Sequence, residues 1–283
     1  MMKIYKVLIV FYLFLVQASV IAAEPLQIKV LQDQFYGIHK SQAMDIYLPS
    51  YPVNAKDQLA ILMLHSGTDK ADPIIVNHKV KRWVTDGVLF ASANYRLSPF
   101  AKPMTQVRDV AKALALFQRK LTSWGGNPSK VIVMGHATGG YLASLLTTTP
   151  HIVKEEGVSP WLGTIAIDSI TLDVVSIMEK NRSTEYENIF GKDLTYWRTV
   201  SPLHQLKEVQ YPLLLVCSTT QSKENCSSAD EMKYTGEQIG AEIDTLRVRL
   251  DHKELSNELG KDNDYTLAVE QFIAKLYRGE NKD

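Results

Sequence analysis

The chain has 283 residues, 45% of them apolar, which is enough for a sizeable hydrophobic core. Its 31 Lys and Arg against 31 Asp and Glu leave no net charge. That balance argues against nucleic acid or an acidic surface as partner and points to a small, largely uncharged ligand.

The first residues read as a targeting segment. Lys3 and Lys6 precede an unbroken apolar run from Val7 to Val16, and Ser19 to Ala23 is small and apolar. This is the pattern of a signal peptide over residues 1–22, cut after Ala22 or one residue later, with the mature domain at 23–283. The run is short for a spanning helix, so no stable membrane anchor is expected after cleavage and the protein is expected to be exported, to a periplasm or beyond. Only two cysteines occur, Cys217 and Cys226. In an exported chain such a pair is expected as a disulfide.

Residues 26–34 and 43–48 alternate as two strands joined by a polar turn. Leu59 to Leu64 is a wholly apolar strand that runs into His65-Ser66-Gly67. A helix over 73–86 and a strand over 88–93 follow, then Asn94-Tyr95-Arg96-Leu97-Ser98-Pro99. Met104 to Leu121 is a long amphipathic helix on which Asp109 is expected to be solvated. Val131 to Met134 forms a buried strand, Gly135, Gly139 and Gly140 permit a bend too tight for side chains, and Tyr141, Leu142, Leu145 and Leu146 recur at helical spacing. A strand over 161–167 ends in Asp168-Ser169, and another over 211–217 ends at Cys217. Helical segments fill the interval between them. A helix over 229–239, a strand over 241–250 and a closing helix over 265–277, with Leu267 facing inward, complete the chain. Strands alternate with helices from Leu59 onward, without linker or repeat, which predicts one doubly wound α/β domain with a mostly parallel sheet. No histidine pair or His/Asp pair stands at ligand spacing, and no glycine-rich loop follows the first strand, so neither a metal nor a cofactor is expected.

The string Gly135-His136-Ala137-Thr138-Gly139-Gly140 resembles the nucleophile elbow of the α/β-hydrolases, Gly-x-Ser-x-Gly, often Gly-His-Ser-x-Gly-Gly in the esterase branches. The strand ending in His65-Ser66-Gly67 and the Asn94 to Pro99 string are similar to esterase motifs as well. Four motifs in the family's order cover most of the mature chain and place it near the carboxylesterase, feruloyl-esterase-like and arylformamidase-like branches. The resemblance implies antiparallel N-terminal strands and a helical cap insertion at about 169–210. It also implies backbone amides of Ser66, Gly67 and Thr138 as an oxyanion hole, and a nucleophile, acid, histidine order along the chain.

His252 falls after the last strand, where the histidine belongs. The acid belongs after the strand ending at Cys217, where Glu224 is the first carboxylate; Asp168, one strand earlier, is the alternative placement. At the apex, where the family carries serine, this chain has Ala137. A methyl group neither attacks a carbonyl nor takes part in a proton relay. Either serine has been replaced in this chain, or Ala137 is native and the protein binds or senses a small ester or amide without cleaving it. Attack by Thr138, Ser66 or a water activated by His252 is the weakest reading, because loss of a triad serine costs about 10⁶ in turnover. Oligomeric state and acyl group are not legible.

Overall fold

The computed structural model describes residues 28–50, 57–67, 73–180, 182–207, 211–220 and 223–280, with backbone alone at 73–75 and 223–225. The expected signal peptide at 1–22 lies outside the described residues. In chain order the elements are β1 (Ile28–Phe35), β2 (Ala43–Pro49), β3 (Gln58–Leu64), α1 (Pro73–Thr85), β4 (Leu89–Ala93), α2 (Pro103–Leu121), β5 (Gly126–His136) and α3 (Thr138–Thr148). Then come α4 (Pro150–Glu155), β6 (Gly163–Ile167), α5 (Val174–Lys180), α6 (Thr184–Phe190), α7 (Leu194–Thr199) and α8 (Pro202–Gln205). The chain closes with β7 (Leu213–Ser218), α9 (Lys223–Glu237), β8 (Ile243–Val248), α10 (His252–Glu258) and α11 (Asp264–Arg278).

Eight strands form one sheet in the order β1-β2-β4-β3-β5-β6-β7-β8. β2 pairs antiparallel with both β1 and β4, and every pairing from β4 to β8 is parallel. This is the doubly wound, mostly parallel architecture that the alternation of strands and helices predicts. The central strands read as continuous apolar runs because each is covered on both faces. Ala60, Leu62, Leu64, Val131 and Val133 point toward α2 and α3, while Ile61, Met63, Ile132 and Met134 point toward α1 and α11. Leu213 and Leu215 meet Ala229 and Met232 of α9 on the first of these faces, and Leu214 and Val216 face the second with Leu255 of α10. Each parallel strand therefore ends at the same edge of the sheet, which is where crevices form in such folds.

Four differences from the sequence reading have identifiable causes. α9 begins at Lys223, six residues before the expected Ala229, so Glu224 sits in the first turn of a helix, and its side chain lies outside the described residues. A further short helix, α10, starts at His252 where a loop is expected; Asp251 caps it, accepting from the Glu254 amide while the Glu254 side chain accepts from the Asp251 amide. Asp109 is fully buried rather than solvated, gripped by Arg96 Nη2 and Nε at 2.6 and 2.8 Å and by Gln42 Nε2 at 2.7 Å. Leu267 is half exposed, and Val269 takes the inward position on α11. That helix turns by 100° per residue, so two positions exchange faces.

Candidate active site

The site is built on the exits of β3, β5, β6 and β8. At the exit of β5 the chain reverses from strand to helix within one residue. Ala137 takes φ 52 and ψ −115, a conformation that a residue bearing a Cβ rarely adopts. Its neighbours enforce the bend. A Cβ on Gly135 would fall 2.2 Å from the Gly139 carbonyl oxygen, and one on Gly139 would fall 2.4 Å from the carbonyl oxygen of Leu64 on β3. The Ala137 amide donates to the Ile167 carbonyl at 2.8 Å, and its own carbonyl accepts from the Tyr141 amide at 2.9 Å. Thr138 follows as the first residue of α3, so its amide has no acceptor within the helix.

At the exit of β6, Asp168 also has a positive φ, 47. Its carboxylate is buried and divides its two oxygens. Oδ2 accepts from His252 Nδ1 at 2.6 Å, and Oδ1 accepts from the Ser218 amide, at the end of β7, at 3.1 Å. A carboxylate only accepts, so the proton of a neutral His252 sits on Nδ1 and Nε2 is left with its lone pair. The hydrogen bond to Asp168 raises the His252 pKa above the ordinary histidine value, against a smaller opposing effect of burial. Burial pushes the Asp168 carboxyl upward, yet the bonds from His252 and the Ser218 amide outweigh it and hold the group below its ordinary value.

Beneath the imidazole lies His136, 5% exposed, with ring centroids 4.5 Å apart. Burial, then the neighbouring His252, push its pKa down to about 4. The loop after β3 is held from behind. Tyr95 Oη donates to the His65 carbonyl at 2.8 Å, and His65 Nδ1 donates to the Ser66 carbonyl at 2.5 Å. Gly67 then comes against Thr138; a Cβ there would lie 3.0 Å from Thr138 Oγ1.

A cavity of about 760 Å³ opens at this edge of the sheet. Gly67, Ala137, Thr138, Asp168 and His252 all line it, so the geometry gathers five of the sequence-predicted positions around one space. Ser66 adjoins through Gly67 and is not among the lining residues. Cys217 and Cys226 are bonded, S–S 2.00 Å and Cα–Cα 5.3 Å, which ties the end of β7 to the first turns of α9. Of the two carboxylates that the sequence leaves open, Asp168 is set against the imidazole, and the Glu224 side chain lies outside the described residues.

The opposite wall comes from α6, whose Tyr186, Ile189 and Phe190 supply apolar surface and whose Glu185 and Asn188 supply polar groups. Tyr196 and Trp197 of α7 do not line the cavity. Trp197 is buried in the insertion, its Nε1 donating to the Gly191 carbonyl at 3.2 Å. Sequence reasoning does not offer Ser218. It acts through its amide, a group that every residue type except proline possesses, so no side-chain signal marks it. Among the described residues no cluster of three or more His, Cys, Asp or Glu is placed to hold a metal ion, and no helix is long and apolar enough to cross a membrane.

The BD-FAE family model matches residues 44–233. Among curated proteins, similarity extends to a non-reducing polyketide synthase of Stereocaulon alpinum, 33% identical over 122 residues, covering 40% of this chain and 5% of that one. It extends also to a probable isoprenylcysteine alpha-carbonyl methylesterase of Oryza sativa subsp. japonica, 23% identical over 135 residues, covering 46% and 30% respectively. The chain thus spans no more than 30% of the length of these two relatives. Among solved structures, esterase B from Lactobacillus rhamnosis in its phosphonate-inhibited form superposes with a TM-score of 0.74 at 16% identity, covering 89% of this chain and 87% of that one. A truncated carbohydrate esterase from gut microbiota superposes with a TM-score of 0.73 at 17% identity, covering 90% and 99%. At such identities the structures establish the fold alone.

Proposed function

We propose, since the chain belongs to the BD-FAE family and so to the esterase branch of the α/β-hydrolases, that its cavity takes a short carboxylic ester or related amide. The observation that carries this reading is the His252–Asp168 pair at 2.6 Å, opening on the same cavity as the strained apex at residue 137. With serine at that apex, Oγ attacks the carbonyl carbon while His252 Nε2 takes its proton. Asp168 holds the imidazole in the required tautomer and stabilises its charged form. The tetrahedral oxyanion is received by the amide of Thr138 and by those of the Ser66–Gly67 turn, fixed dipoles that need no reorganisation. Collapse of the intermediate expels the alcohol or amine with the proton from His252, and water then releases the acid by the same steps in reverse order.

With Ala137 the first bond has no donor of electrons, so the chain as it stands binds such a ligand with little or no turnover. A native binding or sensing protein would present the same state. Export is part of this reading. The Cys217–Cys226 bond is compatible with an oxidising compartment, and the basic-then-apolar opening of the chain supports it.

The test is an assay of p-nitrophenyl esters of graded acyl length with the chain as written and with Ala137→Ser. The serine variant is expected to turn over short esters at least about 10³-fold faster than the parent, as the return of a triad nucleophile implies. A serine variant that is folded and inert on every acyl length overturns the reading.

A further inference from the structure

α10 has seven residues, too few to be stable alone, and the side chain of His252, its first residue, is 43% exposed. The capping box made by Asp251 and Glu254 sets the local turn. It does not set where that turn stands relative to Asp168, which is 84 residues away in the chain. Two buried side chains from other elements reach the main chain of this helix. His136, the last residue of β5, donates from Nε2 to the carbonyl of His252 itself at 3.0 Å. Lys79, on α1 and 1% exposed, donates from Nζ to the Ser256 carbonyl at 2.7 Å. Neither residue lines the cavity. Ionisable groups are costly to bury, and an apolar side chain would fill either place without that cost. Both are instead aimed at carbonyl oxygens of the one short helix that carries the imidazole.

We propose that His136 and Lys79 are positioning residues, a two-point clamp that acts through the α10 main chain to hold the His252 imidazole against Asp168. This rests on His252 being the proton-transfer group of the preceding section. The charged and titratable groups around the clamp are consistent with it. His252 feels Asp168 and Asp251; His136 feels His252, Asp168 and Lys79; Lys79 feels Lys261. Burial, the largest influence on each, pushes His136 to about 4 and Lys79 to about 7. His136 is therefore neutral where His252 titrates, and its Nε2–H stays a donor while the imidazole above it changes charge. The Lys79 amine is a donor in either protonation state, so the second point holds as well.

The experiment reads His252 directly, by NMR titration of the imidazole in the Ala137 chain, following its midpoint and the low-field Nδ1 proton shared with Asp168. His136→Phe keeps a ring and removes the donor; Lys79→Met keeps the length and removes the donor. Each is expected to lower the His252 midpoint by about one unit and to broaden the low-field signal, as loosening of a charge-assisted bond does. His136→Gln, whose amide can reach the same carbonyl, is expected to keep both near the parent, and His136→Asn, one methylene shorter, to behave like Phe. Should Phe and Met prevent folding, the Gln and Asn pair decides. Folded variants without a donor whose midpoint and signal match the parent, or Gln and Asn behaving alike, overturn the clamp. In the Ala137→Ser background the same losses should lower kcat about 10-fold with KM unchanged. An inert serine variant counts against the hydrolase reading alone, because the NMR measurement needs no turnover.

Discussion

Ala137 and Asp168 follow neighbouring parallel strands with nearly the same positive φ, 52 and 47, and they differ in what that backbone delivers. Such a conformation costs about 1–3 kcal/mol for a residue with a Cβ and persists only where its surroundings enforce it. At Asp168 the strain aims a carboxylate at two donors, the His252 imidazole and the Ser218 amide. At Ala137 the enforcement is as complete, with Gly135 and Gly139 pressed against backbone oxygens and the amide tied to Ile167. It presents only a methyl group. At these two strand exits the backbone strain lies at the site, and the side chain standing there decides whether the site does chemistry.

Changing each side of that comparison gives graded outcomes. In the Ala137→Ser background, Asp168→Asn should reduce kcat by about 10⁴, the effect of losing the tautomer-setting acid, whereas Glu224→Gln should change it little. Steady-state kinetics on the best p-nitrophenyl ester checks both, and the opposite pattern would move the acid role to α9.

The enforcement around Ala137 is next. Gly139→Ala brings a methyl carbon to 2.4 and 2.6 Å from the backbone oxygens of Leu64 and His65, which cannot yield as a side-chain tip can. A loss of about 3 kcal/mol is expected in denaturant unfolding, at the upper end for overpacking. Near-parent stability would mean that the elbow is far softer than its geometry indicates.

The support behind Asp168 is more distributed. Replacing both Cys217 and Cys226 with Ala should cost about 2.6 kcal/mol, the loop-closure cost for a nine-residue separation. In the serine background it should also weaken turnover modestly, because Ser218 follows Cys217 directly. Unchanged kinetics would separate the bridge from the site.

The smallest effect is the pH dependence. His252 must be neutral to take a proton, and Asp168 raises its pKa, so the acid limb of kcat/KM for the serine variant should lie above the ordinary value of about 6.5. In Asp168→Asn it should move down. For stability the signs oppose. The raised His252 contributes below its unfolded pKa, and this is lost as pH rises through the folded value. The lowered Asp168 contributes above its unfolded pKa, and this is lost as pH falls through the folded value. Urea midpoints across pH should be highest between the two.

The parts of the molecule legible in advance share one property, that local rules govern them. Apolar runs such as Leu59 to Leu64 must be covered on both sides and so mark central strands. Gly135, Gly139 and Gly140 around one residue mark a bend where backbone passes backbone. His252 is put forward by the chain order that the resemblance to the α/β-hydrolases implies. The misreadings involve partners distant in the chain. Asp109 looked like a surface carboxylate because Gln42, 67 residues earlier, gives no local sign of meeting it. Nor does periodicity encode which aromatics of the short helices α5 to α8 reach the cavity: Tyr186 and Phe190 line it, and Trp197 is buried in the insertion.

Taken alone, the sequence determined the layered α/β architecture, the elbow and the methyl at its apex, since these follow from apolar periodicity, from glycine sterics and from the identity of one residue. Tertiary structure set Asp168 against His252, brought His136 and Lys79 to the main chain of its helix and decided which aromatics enclose the cavity. Those are distances between groups far apart in the chain, and a distance of that kind exists only once the strands have taken their order in the sheet.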